Sequence, residues 1–190
     1  MNSSKSYLHF PTIETDRYSL RIIDPAHTND IFEYAQDPEV SKFLTWTPHK
    51  NISETKEFIE AALSAYVKKI MFVWVIELKE TKKVIGTISL INFFPVHASC
   101  EVGYALSQKY WGKGIMTEVL NAVVRFCFEQ IMINRIEAHS FVANIASQQV
   151  LKKCGFEYEG TLREKMIIKN KFVDLKLFSI LRNDFLNSNK

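Results

Sequence analysis

The chain has no apolar run long enough to cross a bilayer: its longest, residues 70–76, falls far short of the roughly 20 residues that a spanning helix needs. Met1 to Phe10 mix Ser, Asn, Lys and His without the basic stretch and apolar run of a signal peptide, so a cytoplasmic location is expected. Cysteine is scarce and odd in number. Cys100, Cys127 and Cys154 stand far apart in apolar surroundings, which suits reduced core thiols better than disulfides or a metal cluster, and no metal site is expected. There is little excess of either charge: 24 Lys and Arg face 21 Asp and Glu, a net +3, which gives no broad footprint for nucleic acid or membrane. The paired lysines at 68–69, 82–83 and 152–153 read as solvated faces, which makes a nucleic-acid-binding module a poor reading. Repeats, low-complexity tracts and linkers are also missing, so the 190 residues, 47% of them hydrophobic, are expected to form one domain spanning 1–190.

Periodicity supplies the elements. Residues 18–23 read as a strand, followed by a helix start at Asp24-Pro25, where Asp caps and Pro tolerates the first helical position. Asn51 or Ser53 caps a second helix to about Lys68, with Phe58, Ala62, Ala65 and Tyr66 as its apolar stripe. Segments 71–78 and 84–93 are rich in Val, Ile and aromatics and read as a hairpin, and 98–106 continues as another strand. Met116, Leu120, Val123, Cys127 and Ile131 recur at three- or four-residue spacing and mark a long helix with one buried face, after which 135–142 returns as a strand. A short helix, 144–154, is closed by Gly155, and strands 157–168 and 172–181 make a terminal hairpin. The strand–loop–helix–strand unit 98–142 implies two parallel neighbours with a crossover helix, while both hairpins demand antiparallel pairing; the sheet is therefore mixed.

Tyr110-Trp111-Gly112-Lys113-Gly114-Ile115-Met116 joins a strand to the long helix, so its N–H groups lie where a helix start has unpaired donors and partial positive charge. An anion is the natural guest there. Gly112 and Gly114 keep side chains off the backbone, and Lys109 and Lys113 add charge; a plain glycine turn before a helix is the alternative. The spacing fits neither a Walker loop, which needs four residues before its Gly-Lys pair, nor a dinucleotide fingerprint, which needs a third Gly.

The run EVGYALSQKYWGKGIMTEVL, the N-x-x-S of Asn144 to Ser147, and Gly155-Phe156 resemble the GNAT N-acetyltransferase superfamily, and within it the Rim-type ribosomal-protein acetyltransferases. Lys109, Gly112 and Gly114 occupy the places of that family's cofactor motif, with Lys109 an unusual first member. The resemblance runs from about Tyr18 to Leu181. It implies an α/β (α+β) fold with a mixed, mostly antiparallel sheet, a parallel central strand pair and flanking helices. It also implies acetyl-coenzyme A as co-substrate, its pyrophosphate on the amides of Trp111, Gly112, Lys113, Gly114, Ile115 and Met116 and its pantetheine arm between the strands near 100–106 and 136–142.

Moving an acetyl group from a thioester to an amine needs a neutral amine, support for the oxyanion and a proton for the departing thiolate. Glu101, a carboxylate in an apolar strand, fits the general base; the alternative is a strand carboxylate paired with Arg or Lys. Asn144 is a natural helix cap, and the resemblance adds a hydrogen bond to the pantetheine arm or the incoming substrate. Ser147 lies one turn on, facing the same way, and is the candidate proton donor. The family's usual acid, a Tyr four residues before Gly-Phe, is Leu151 here, and Gln149 stands where Rim-type relatives commonly carry Arg. His97 and His139 are expected to be structural. Trp46, with Phe43 and Leu44, falls where the resemblance puts substrate-facing loops. The expected activity is N-acetylation, with the N-terminal α-amine of a protein as acceptor; the alternatives are a small-molecule amine (polyamine, amino acid, antibiotic) or a non-catalytic acyl-coenzyme A sensor.

Overall fold

The structure, a computed structural model, describes residues 10–188, so the signal-peptide reading of Met1 to Phe10 falls, Phe10 apart, outside the described residues. Its strands are β1 (Ile13–Glu14), β2 (Tyr18–Ile22), β3 (Phe72–Leu78), β4 (Val84–Phe94), β5 (Ser99–Leu106), β6 (Arg135–Phe141), β7 (Glu157–Ile168) and β8 (Lys171–Leu181). They form one sheet in the order β1-β2-β3-β4-β5-β6-β8-β7, with β5 and β6 parallel and every other neighbouring pair antiparallel. The helices are α1 (Thr28–Ala35), α2 (Pro38–Ser41), α3 (Ile52–Val67), α4 (Ile115–Glu129), α5 (Ile145–Lys153) and α6 (Arg182–Ser188). The mixed sheet and its parallel pair are therefore those read from the sequence, with α4 as the crossover.

Each face of the sheet buries its own cluster, because side chains alternate along every strand. Trp74, Ile76, Cys100 and Val102 face α4, whose Val119, Leu120, Val123 and Cys127 cover them. Val73, Val75 and Ala105 face the opposite way, toward Ile31 and Tyr34 of α1 and Ile59 and Ala62 of α3. This double cover explains why β3 is buried along nearly its whole length. All three cysteines are buried free thiols. Among the described residues no helix is long and apolar enough to cross a membrane.

Local chemistry sets the element ends. Asn51 Oδ1 accepts from the N–H groups of Ser53 and Glu54 and starts α3. Asp24 accepts from Ala26 N at 2.8 Å, but what it caps is a 3-10 turn, Pro25–His27, that leads into α1. Lys169 and Asn170 take φ of 52° and 63°, the left-handed pair that a two-residue hairpin turn requires between β7 and β8. The short β1, α2 and α6 were not anticipated, since elements of two to seven residues carry too little periodicity to be read.

Candidate active site

The site originates in a break between the two parallel strands. β5 pairs with β6 only at Ser99–Arg135, Cys100–Ile136 and Glu101–Glu137. Beyond Glu101, β5 stays on β4 as far as Leu106 and β6 stays on β8 as far as Phe141, so each follows its outer neighbour and the two diverge. Two cavities meet at this opening, one of about 710 Å³ on the α1–α3 face and one of about 380 Å³ running to the start of α4. Phe43, Leu44, Tyr104, Asn144 and Ser147 line both.

The smaller cavity carries the anion-binding features. Gly112 and Gly114 take φ of 74° and 73°, in the region that disfavours side chains, and a Cβ at either would enter open space with nothing within 4 Å. Gly114 caps α4 without any side-chain cap bond, and among the described residues the N–H groups of 112–116 find no acceptor. The one acidic residue of the first turn, Glu118, is occupied by Arg17 at 2.6 Å. The indole Nε1 of Trp111 donates to Leu106 O at 2.8 Å and pins the loop to the end of β5. An open, side-chain-free cradle of unpaired N–H groups at the start of a 15-residue helix fits a diphosphate.

At the larger cavity, Glu101 is not paired with Arg or Lys. Its Oε1 lies 2.8 Å from His139 Nδ1, and its Oε2 accepts from Asn92 Nδ2 at 2.8 Å. The parallel register explains the first contact: Glu101 stands beside Glu137, and His139, two residues on, points to the same face. A bulge explains the second, for the β4–β5 register shifts between Ile91 and Phe94 and Asn92 turns out at φ 48°. Burial favours the neutral acid of Glu101, but the hydrogen bond and charge of His139, helped by Asn92 and Lys165, outweigh it and hold the carboxyl below its ordinary range. His139 Nε2 has no partner among the described residues. His139, expected to be structural, thus belongs to the site.

On the other side of the opening, Ser147 Oγ lies 2.9 Å from the Tyr104 hydroxyl, which burial pushes well above its ordinary pKa. Asn144 Oδ1 accepts from Ser147 N at 3.1 Å, so Asn144 is the cap of α5 and the Ser147 hydroxyl remains with Tyr104. Buried Gln148 fixes this turn by donating to the carbonyls of Phe141 and Val142. Leu151, at the family's tyrosine place, is fully buried in the core, whereas Gln149 lines the smaller cavity.

Of the residues singled out from the sequence, Trp111, Gly112, Lys113, Gly114, Ile115, Met116, Asn144 and Ser147 gather around the smaller cavity, and Glu101 faces the larger. Lys109 does not join them: its ammonium reaches Glu33 Oε1 of α1 at 2.7 Å. Lys113 donates to Lys109 O at 3.0 Å and lies over the Tyr110 ring. Trp46 and Phe43 line the larger cavity. Tyr104, Asn92 and His139 were missed as site residues; the signal available was that His139 lies in a strand parallel to the one bearing Glu101.

Residues 17–157 match the family of acetyltransferase (GNAT) domains, to which the chain belongs. The chain is 32% identical over 173 residues to the "Uncharacterized N-acetyltransferase YoaA" of Bacillus subtilis, covering 91% of this chain and 98% of the relative. It is 29% identical to the "Uncharacterized N-acetyltransferase p20" of Bacillus licheniformis, covering 92% of this chain and 98% of the relative. A shorter match, 32% over 108 residues, covering 56% of this chain and 55% of the relative, links it to the ribosomal protein uS5-alanine N-acetyltransferase of Escherichia coli. In fold it superposes on the spermidine N-acetyltransferase of Vibrio cholerae solved with CoA and spermine, at TM-score 0.78 and 22% identity, over 91% of this chain and 100% of that one. It also superposes on the microcin C7 self-immunity acetyltransferase MccE solved with acetyl-CoA and AMP, at TM-score 0.81 and 22% identity, over 88% of this chain and 93% of that one. The chain is accordingly an N-acetyltransferase of the GNAT family, related to the Rim-type branch.

Proposed function

We propose that this acetyltransferase acetylates the N-terminal α-amine of a protein or peptide, the amine entering by the larger cavity and acetyl-coenzyme A by the smaller. Acetyl-coenzyme A is the co-substrate and supplies an acyl group already activated as a thioester. The observation that carries the reading is the meeting of the two cavities between Glu101–His139 on one side and Tyr104–Ser147 on the other. The residues with which the chain would hold the co-substrate are the amides of 112–116 for the diphosphate, the Trp111 N–H being already given to Gln108 O at 3.1 Å, with the free edges of β5 and β6 and Asn144 for the arm.

Glu101 accepts the His139 Nδ1 proton, which fixes the tautomer and leaves Nε2 to take the proton that the amine loses as its nitrogen bonds to the acyl carbon. A carboxylate held below its usual range is itself a weak base toward an ammonium, which is why the pair is given the role. Across the opening, the Tyr104 and Ser147 hydroxyls lie 2.9 Å apart, and with Tyr104 as the donor the serine proton is left for the sulfur as the C–S bond breaks. An α-amine, with an ordinary pKa of roughly 8, is within reach of a single such pair, whereas a lysine amine near 10.4 asks more of it. Relatives that act on a ribosomal protein and on spermidine leave both acceptor classes in the family, and the lower ordinary pKa of an α-amine favours the first. The test is thiol release from acetyl-coenzyme A with peptides whose N-terminus is free or blocked. Release that needs the free N-terminus is expected; equal release from blocked peptides bearing lysine would move the reading to side-chain amines.

A further inference from the structure

The acceptor side is much larger than a small first residue requires. Its cavity of about 710 Å³ is in the range that encloses a drug-sized ligand, so an alanine or serine methyl or hydroxyl would leave most of it unfilled. One wall, on the sheet face that bears Glu101, is aromatic and aliphatic: Phe43, Leu44, Trp46, Phe58 and Met71. These rings are held in place. His49 lies between Trp46 and Phe58, with ring centroids at 5.4 and 6.3 Å, and its Nδ1 is 2.8 Å from the hydroxyl of fully buried Thr55. Phe43 leans on Phe141 of β6 at 5.8 Å. A wall ordered in advance binds an apolar group without the entropy cost of arranging it.

The charged groups facing the same cavity point away from a polycation. They are Glu101, Glu137, His139 and Lys165. Glu137 is already bonded to Arg135 Nε at 2.8 Å, and Glu101 is held by His139 and Asn92. Lys165, exposed at the rim on β7, adds a positive charge. A second ammonium on the acceptor would find no free carboxylate and would meet Lys165.

We propose that the acceptor is a monocationic primary amine whose adjoining group is bulky and apolar, in a peptide a first residue such as Phe, Leu or Met, seated against Phe43, Trp46 and Phe58. This rests on the N-acetyltransferase reading above and narrows it. Burying such a side chain contributes roughly 1.5–3 kcal/mol, which is about 10-fold to 10²-fold in kcat/KM over Ala or Ser at the same position.

The experiment compares kcat/KM for one peptide series differing only in its first residue, Phe, Leu, Met, Ala and Ser, with spermidine beside it. Phe, Leu and Met are expected to lead Ala and Ser by at least about 10-fold and spermidine by more. Trp46→Ala and, separately, Phe58→Ala should narrow the Phe-to-Ala ratio. That ratio is measured within one preparation, so partial unfolding of a variant does not alter it. A flat series, a preference for Ala or Ser, or spermidine as the best acceptor overturns this proposal and leaves the acetyltransferase reading standing. Acetylation of none of them, with acetyl-coenzyme A bound, overturns the α-amine reading and this proposal together.

Discussion

Replacing Gly114 by Val separates the phosphate cradle from the fold. At φ 73° a branched residue adopts a left-handed conformation that costs about 1–2 kcal/mol, yet its Cβ meets no atom within 4 Å, so no clash adds to that cost. For a chain of this length the loss corresponds to a fall in Tm of roughly 2–8 °C, and the variant stays folded. The affinity loss is of another size. The open space that receives the Cβ is the space in which a diphosphate would approach the amides of 112–116, and hydrogen bonds to a charged group are worth roughly 1.5–3 kcal/mol each. Removing two of them weakens acetyl-coenzyme A binding by about 10²-fold or more. Gly114→Asn is the control for strain, since Asn tolerates positive φ while still filling the space: it should hold Tm close to wild type and lose affinity. Calorimetric titration at a temperature where all three proteins are folded decides it. Unchanged affinity in either folded variant would refute the cradle.

Other consequences follow from the same geometry. Ser147→Ala should lower turnover about 10-fold to 10²-fold with little change in cofactor affinity, and Tyr104→Phe should do the same through loss of its 2.9 Å bond; full turnover in both would remove the proton-donor role. Glu101→Gln and His139→Ala should each cost about 10²-fold or more, shrink in effect at high pH, and combine to no more than the larger single loss, because the two act as one unit; a fully active His139→Ala would return the base role to the carboxylate alone. Lys109→Ala should leave cofactor affinity unchanged and stability within about 1 kcal/mol, since its exposed ammonium holds Glu33, which keeps Lys83; a 10-fold loss of affinity in a titration would contradict this placement. Arg135, with Ser179, holds the Glu159 carboxyl down to about 2 from an ordinary 4.5, so its contribution to stability is present above 4.5 and is lost as pH falls toward 2. Urea midpoints should fall over that window in the wild type and fall less in Glu159→Gln; an equal fall in both would exclude the pair as a source of acid sensitivity.

The segment from β5 through α4 to β6 was legible because each part of it announces itself locally. The apolar spacing of α4, the two glycines before it, the Asn144 cap and Gly155, which takes φ 81°, are all chemistry within a few residues of chain. The Glu101–His139 contact was not, since the two residues lie 38 apart in the chain and meet only through the parallel register that sets Glu101 beside Glu137. Asn92 enters by a bulge and Tyr104 by reaching across to α5, and neither leaves a periodic mark. For Lys109 local pattern gives no direction to the side chain, which is decided by α1, whose Glu33 captures it across the fold. Local pattern located the loop; tertiary register chose its partners.

In the proposed mechanism the diverging strands bring a thioester and an amine together between the Glu101–His139 and Tyr104–Ser147 pairs. A crystal structure of the protein with coenzyme A and a peptide beginning in Phe tests it most directly. The diphosphate is expected on the amides of 112–116, the arm between β5 and β6 with its sulfur beside Ser147, and the peptide amine within hydrogen-bond reach of His139 Nε2, directly or through one water. A diphosphate bound elsewhere, or an amine seated away from the Glu101–His139 pair in a complex that still turns over, would contradict it.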